Sequence, residues 1–130
     1  MKLLDDHRIV ALDDAADGAL ARFLLSLGAT LTRVDSSTAA NAIASADFFI
    51  EKCGAELLAD DALSTAQLIA INPKLIHVSV SPFGSNGPRA TWRGSELVVS
   101  ALGGTLRLTG DVDRAPVKEA LDACWFHAEM

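Results

Sequence analysis

Short runs of consecutive apolar residues alternate with amphipathic segments along most of the chain. Arg8 to Asp13 (RIVALD) reads as a strand covered on both faces, because its apolar residues follow one another without a polar alternation. Asp14 and Asp17 then pair as N-cap and third residue of a helix, with the apolar stripe Leu20, Phe23, Leu24 and Leu27. Gly28 stands where a helix ends. Ala29 to Asp35 makes a second strand, Ser36 to Ser45 an Ala-rich crossover, and Ala46 to Glu51 a third strand. Ser64 and Gln67 form a capping box for a helix through Leu68 and Ile71, which Asn72-Pro73 stops. Leu75 to Ser81, rich in β-branched residues, is the fourth strand. A turn-rich loop runs from Pro82 to Pro88, a helix spans Ser95 to Leu102, and a last helix is expected from Glu119 to Met130.

This order predicts an α/β fold: an open, mostly parallel sheet flanked by helices, as a single domain over residues 1–130. A strand order of 3-2-1-4 would reverse between strands one and four. It would set the turn at residues 13–18 opposite the loop at residues 82–89, at the carboxyl ends where such sheets bind ligands.

Composition narrows the classes. The formal charge of -6 and a pI near 4.8 argue against nucleic acid or an anionic membrane surface as partner, since both require clustered cations. Half of the residues are hydrophobic, enough for a core, yet no run approaches a membrane span. Cys53 and Cys124 have no partner at metal-ligand spacing, so neither a disulfide scaffold nor a metal knuckle is expected. The amino terminus lacks a leader pattern, and a cytoplasmic location is the expectation.

The first strand-to-helix turn reads Asp13-Asp14-Ala15-Ala16-Asp17-Gly18, without the glycines a dinucleotide pyrophosphate needs, and its carboxylates repel phosphate. Asp13 and Asp14 also suggest a phospho-receiver domain, but Glu51 stands where the acceptor Asp would end strand three. His77 reads as a satisfied imidazole within strand four, and Cys124 as a packing thiol. Trp92 and Trp125 read as large apolar plugs.

The stretch Asn72-Pro73-Lys74-Leu75-Ile76-His77-Val78-Ser79-Val80-Ser81-Pro82-Phe83-Gly84-Ser85-Asn86-Gly87-Pro88 is more specific. It resembles the class III coenzyme A transferase family, which includes formyl-CoA transferases, carnitine CoA-transferases and α-methylacyl-CoA racemases. The similarity continues through Gly94 to Val98, Ala101 to Gly104, Leu108 to Gly110 and Ala115 to Lys118, and includes Arg8 to Asp13 and Leu24 to Ala29. The resemblance implies a Rossmann-like domain that takes CoA or acyl-CoA as substrate, with no covalently bound cofactor and no metal. It places CoA along Asp14, Ala15 and Ala16, along Glu51, Lys52 and Cys53, and along Phe83 and Gly84. Complete members are far longer and form interlocked dimers, so this chain corresponds to their amino-terminal portion. A homo-oligomer, or association with the remainder of the family fold, is expected.

Departures from the family pattern bear on activity. The transferases carry an Asp nucleophile on the helix after the Pro-Val-Lys segment, which attacks the thioester to form a mixed anhydride. Laying Pro116-Val117-Lys118 on that segment puts Trp125 at the nucleophile position, with Asp122 three residues earlier. The racemases place a His-Asp pair where Ser95-Glu96 stands here. The catalytic residue is therefore not evident. The expectation is an amino-terminal transferase-like portion that is inactive alone. The alternatives are a non-catalytic CoA-binding or subunit-docking module and a degenerate receiver-like domain.

Overall fold

In the computed structural model, which describes residues 3–52, 64–119 and 121–130, four parallel strands form one sheet in the order β2-β1-β3-β4. The strands are β1 (Arg8–Leu12), β2 (Thr30–Val34), β3 (Phe48–Lys52) and β4 (Ile76–Val80). Alternate residues of β1 feed two cores, as its unbroken apolar run predicts. Val10 and Leu12 pack with Val34, Ile43, Phe49 and Leu68 on one face. Ile9 and Ala11 pack with Ala15, Ala16, Ala29 and Ile50 on the other. Helices α3 (Ala39–Ile43) and α4 (Thr65–Ile71) contribute to the first core. Helices α1 (Asp13–Ala16) and α2 (Ala19–Ser26) cover the second.

The expected order 3-2-1-4 is corrected here: β3, not β4, lies beside β1. Phe49 and Ile50 are buried on opposite faces of β3, which suits an inner strand. β4 takes the edge, where Ile76 remains 52% exposed. The reversal of strand order therefore falls between β1 and β3. The loop at residues 82–89 follows β4, with β3 standing between it and the turn at residues 13–18.

Two helices also differ from expectation. The first is split: α1 stops at Ala16, and Gly18 in an extended conformation caps α2, so Asp14 and Asp17 do not form its capping pair. Phe23 is 47% exposed, whereas Ala21 on the same helix is fully buried. The last helix, α6 (Ala123–Glu129), begins later than Glu119, with Asp122 at its N-cap. By contrast, α4 starts after Ser64 and ends before Asn72 as read, and α5 (Glu96–Gly103) falls on its expected span. Gly28, at φ 111°, closes the α2 end in a conformation that favours glycine.

Asn72 links the two elements of the first core. Its Nδ2 donates to the carbonyls of Ile43 (3.0 Å) and Ala46 (2.8 Å), satisfying the end of α3 from the end of α4. Among the described residues, no helix is long and apolar enough to cross a membrane.

Candidate functional site

At the carboxyl ends of β3 and β4 lies a crevice lined by Ala15, Leu20, Ile50, Glu51, Lys52, Val80 and Glu129. Its geometry follows from the elements around it. The break at Gly18 turns the amino end of α2 toward the crevice, leaving the Ala19 and Leu20 N–H groups without intrahelical acceptors. These groups and the helix dipole favour an anion. Lys52, the last residue of β3, adds a cation from the same face as Ile50.

Glu129 meets that positive potential. One carboxylate oxygen accepts from the Ala19 N–H and, at 3.4 Å, from the Leu20 N–H, while the other accepts from Lys52 Nζ at 3.2 Å. The Glu129 side chain is only 8% exposed. Gly18 makes the approach possible, because a Cβ there would stand 2.5 Å from the Glu129 carboxylate. One turn earlier on α6, the Trp125 ring lies against Lys52, with Nζ 4.6 Å from the ring centroid. Trp125 and Glu129 thus hold Lys52 from one face of α6.

The expected binding residues separate into groups. Ala15 and Ala16 are buried beneath α2, and Asp14 lies with them in α1. Ala15, Glu51 and Lys52 meet at the crevice. Glu51 is buried and turns the other way, where His77 Nε2 lies 2.9 Å from its Oε1. The His77 ring also stacks on Phe49 at 5.5 Å, in line with its reading as a satisfied imidazole. Cys53 lies outside the described residues. Phe83 and Gly84 follow β4, one strand farther from β1. Phe83 meets Trp92 edge-on at 6.0 Å, and Arg89 lies 5.4 Å over the Trp92 ring. Gly94 lets Phe83 pack closely, since a Cβ there would meet its ring at 3.0 Å. Gly84, at φ 78°, opens onto free space.

Asp122 does not reach the crevice. Its carboxylate is 72% exposed and pairs with Lys118 at 3.3 Å. Glu129 and Gly18 were not singled out as site residues in the sequence. The signal available was the four-residue spacing from Trp125 to Glu129 on an amphipathic segment, together with a glycine inside the first helical stretch. Among the described residues, no group of three or more His, Cys, Asp or Glu could hold a metal ion.

Known proteins share this architecture. The fold matches a CAIB/BAIF family protein from Brucella suis with a TM-score of 0.81, at 23% identity, over 98% of this chain and 48% of that one. A hypothetical protein from Mycobacterium tuberculosis matches with a TM-score of 0.79 and 20% identity, over 99% of this chain and 47% of its own. In sequence, the chain is similar to the succinate–glutarate CoA-transferase of Agrobacterium fabrum, 36% identical over 76 residues, covering 58% of this chain and 19% of that protein. It is also similar to subunit BbsE of the succinyl-CoA:(R)-benzylsuccinate CoA-transferase of Thauera aromatica, 41% identical over 73 residues, covering 56% of this chain and 18% of that one. The chain spans less than half the length of these structural neighbours. The description CoA-transferase family III matches residues 5–130, and the chain belongs to that family.

Proposed function

We propose that this chain is the CoA-binding, amino-terminal part of a protein acting on acyl-CoA thioesters, as a single domain over residues 1–130, and that it performs no acyl transfer alone. The crevice residues fit part of such a ligand. The amino end of α2 and Lys52 form a seat for one anionic group, which the Glu129 carboxylate fills here and which a ligand phosphate would take over from it. Ala15 and Ala16 would line the near wall, with Glu51, Phe83 and Gly84 toward the β4 side. CoA supplies the thioester on which the reaction turns.

The observation that carries the second half of the reading is Trp125. The position that the family resemblance assigns to the nucleophile sits against Lys52 at the crevice, and it holds an indole. An indole offers neither a carboxylate nor an ionisable base to a thioester carbonyl. Asp122, paired with Lys118 on the surface, does not replace it.

Calorimetric titration with CoA tests the binding reading, with Lys52→Ala expected to weaken binding about tenfold. No binding by the chain would remove it. Incubation with an acyl-CoA and a carboxylic acid tests the second half. Mass spectrometry is expected to show no new thioester, and robust exchange would refute it.

A subunit-docking role has one specific support: a similar relative is itself named as a subunit of a CoA-transferase. The α5 side chains Leu97, Val98 and Leu102 are exposed, which favours self-association or docking on a larger subunit. Light scattering is expected to show concentration-dependent assembly, and a monomer at every concentration would contradict it.

A further inference from the structure

Away from the crevice, a cavity of ≈ 60 Å³ lies between α5, the 3₁₀ turn Thr105–Leu108 and α6. Its wall includes Glu96, Ser100, Thr105, Thr109, Cys124 and His127. Cys124 and His127 belong to α6 but not to the pair that holds Lys52, so the cavity uses a different part of the helix.

Glu96 is the key group. It is 8% exposed, and its Oε1 accepts the Cys124 backbone N–H at 2.8 Å, capping the start of α6 from the start of α5. Its Oε2 is fully buried and has no hydrogen-bond partner. A buried carboxylate oxygen without a donor is unfavourable.

The neighbouring hydroxyls cannot supply that donor. Ser100 Oγ donates to the Leu97 carbonyl at 3.0 Å, Thr105 Oγ1 to the Ser100 carbonyl at 3.2 Å, and Thr109 Oγ1 to the Thr105 carbonyl at 3.4 Å. Each hydroxyl has one proton and has committed it to the backbone, so only lone pairs remain for the cavity. Lys118 Nζ, at the rim, is held by the Glu119 carbonyl and the Asp122 carboxylate. The Cys124 thiol, 3.9 Å from Thr105 Oγ1, is a weak donor. Burial, followed by hydrogen bonding toward the Glu96 side chain, pushes its pKa up, so this weak donor faces the carboxylate as a neutral thiol.

A buried carboxylate oxygen without a partner, beside hydroxyls whose protons are committed to the backbone, favours a ligand made of donors, in a wall that also carries Lys118 and His127. We propose that it is a site for a small primary ammonium group, the ammonium ion or a short alkylammonium, with Glu96 Oε2 as its anchoring acceptor. Three N–H donors on one cation match Glu96 Oε2 and the free lone pairs of the threonine hydroxyls. A carboxylate or phosphate would be repelled by the Glu96 carboxylate, and a quaternary ammonium has no N–H to give. The volume admits an ion with one or two carbons and little more. This assignment does not rest on the proposed CoA binding at the crevice.

The test is a titration of the ¹⁵N-labelled chain with methylammonium chloride, read at the Cys124 and Thr105 backbone amides. Tetramethylammonium chloride at matched ionic strength is the comparison. Saturable shifts are expected with methylammonium and not with tetramethylammonium. Glu96→Gln keeps a carbonyl oxygen for the Cys124 N–H and puts an NH₂ where Oε2 stood, so affinity should fall about tenfold or more. Should that variant unfold, Thr105→Val removes one acceptor and should weaken binding severalfold. Non-saturating shifts, an equal response to tetramethylammonium, or unchanged affinity in whichever variant folds would overturn the proposal.

Discussion

Replacing Glu129 by Ala removes the carboxylate that joins the two ends of the described chain. The Ala19 and Leu20 N–H groups lose their acceptor and Lys52 loses its ion-pair partner. A carboxylate in a partly buried geometry at a helix amino end contributes up to ~2 kcal/mol. Lys52 is 29% exposed, so its pairing adds less than ~1 kcal/mol after solvent screening. The expected loss is therefore about 2–3 kcal/mol. For a chain of this size, that corresponds to a fall in Tm of roughly 8–12 °C. Circular dichroism melts should rank wild type highest, then Glu129→Gln, then Glu129→Ala, because Gln keeps an acceptor and loses the charge. Sulfate should recover part of the loss in Glu129→Ala, where the seat is vacated, and stabilise the wild type less. A Tm within about 1 °C of wild type would refute the assignment of Glu129 as the bond between α6 and α2. An equal sulfate response in both proteins would refute the anion seat.

Gly18→Ala should destabilise the protein, because the new Cβ would stand 2.5 Å from the Glu129 carboxylate and 3.1 Å from the Ala15 carbonyl. Its cost in a Glu129→Ala background should be smaller in chemical denaturation, and strict additivity would count against that contact. Asn72→Ala leaves the Ile43 and Ala46 carbonyls without their side-chain donor and should cost about 2–3 kcal/mol, measured by urea unfolding. A change under about 0.5 kcal/mol would show that the link between α3 and α4 is unimportant. Asp35 has its pKa lowered below the ordinary 3.8 by the Ser37 hydroxyl, then by the Thr38 N–H and hydroxyl. Because the folded-state value is depressed, the stability it contributes is complete above the unfolded pKa and is lost as pH falls through the folded one. A carbon-detected NMR titration should place its midpoint below 3.8 and shift it upward in Ser37→Ala, and a midpoint at or above 3.8 would contradict the bonds.

The strands were legible because burial on both faces leaves a signature in the residues themselves: Ile9, Val10, Ala11 and Leu12 leave no room for a polar alternation. The same signature is silent on which edge meets which neighbour. That is why β3 was expected beyond β2 and is found beside β1. The stop of α4 at Asn72-Pro73 is a local effect of chain stereochemistry and was readable. The break at Asp17-Gly18 was not, since the groups that meet it are remote: Glu129, which accepts from the Ala19 N–H 110 residues away, and Arg33, which pairs with Asp17 at 2.7 Å. Phe23 fits a helical stripe by spacing, but of that stripe Leu20 and Leu24 pack on the core while Phe23 stays exposed. The binding segments entered through family resemblance. The fold brings Ala15, Glu51 and Lys52 to one crevice while holding Phe83 and Gly84 a strand away.

Helix α6 is only seven residues long, yet its two ends answer to different masters. Near its start, the Cys124 N–H is fastened to Glu96 of α5, and at its finish Glu129 is fastened to α2. So short a helix moves as one body, like a beam resting on two supports. Whatever lifts Glu129 off α2 also tilts the Cys124 end against Glu96. By reciprocity, an occupant that tightens the Glu96 end changes the work needed to free the other. The crevice and the α5–α6 cavity therefore share one mechanical account, although they share no lining residue.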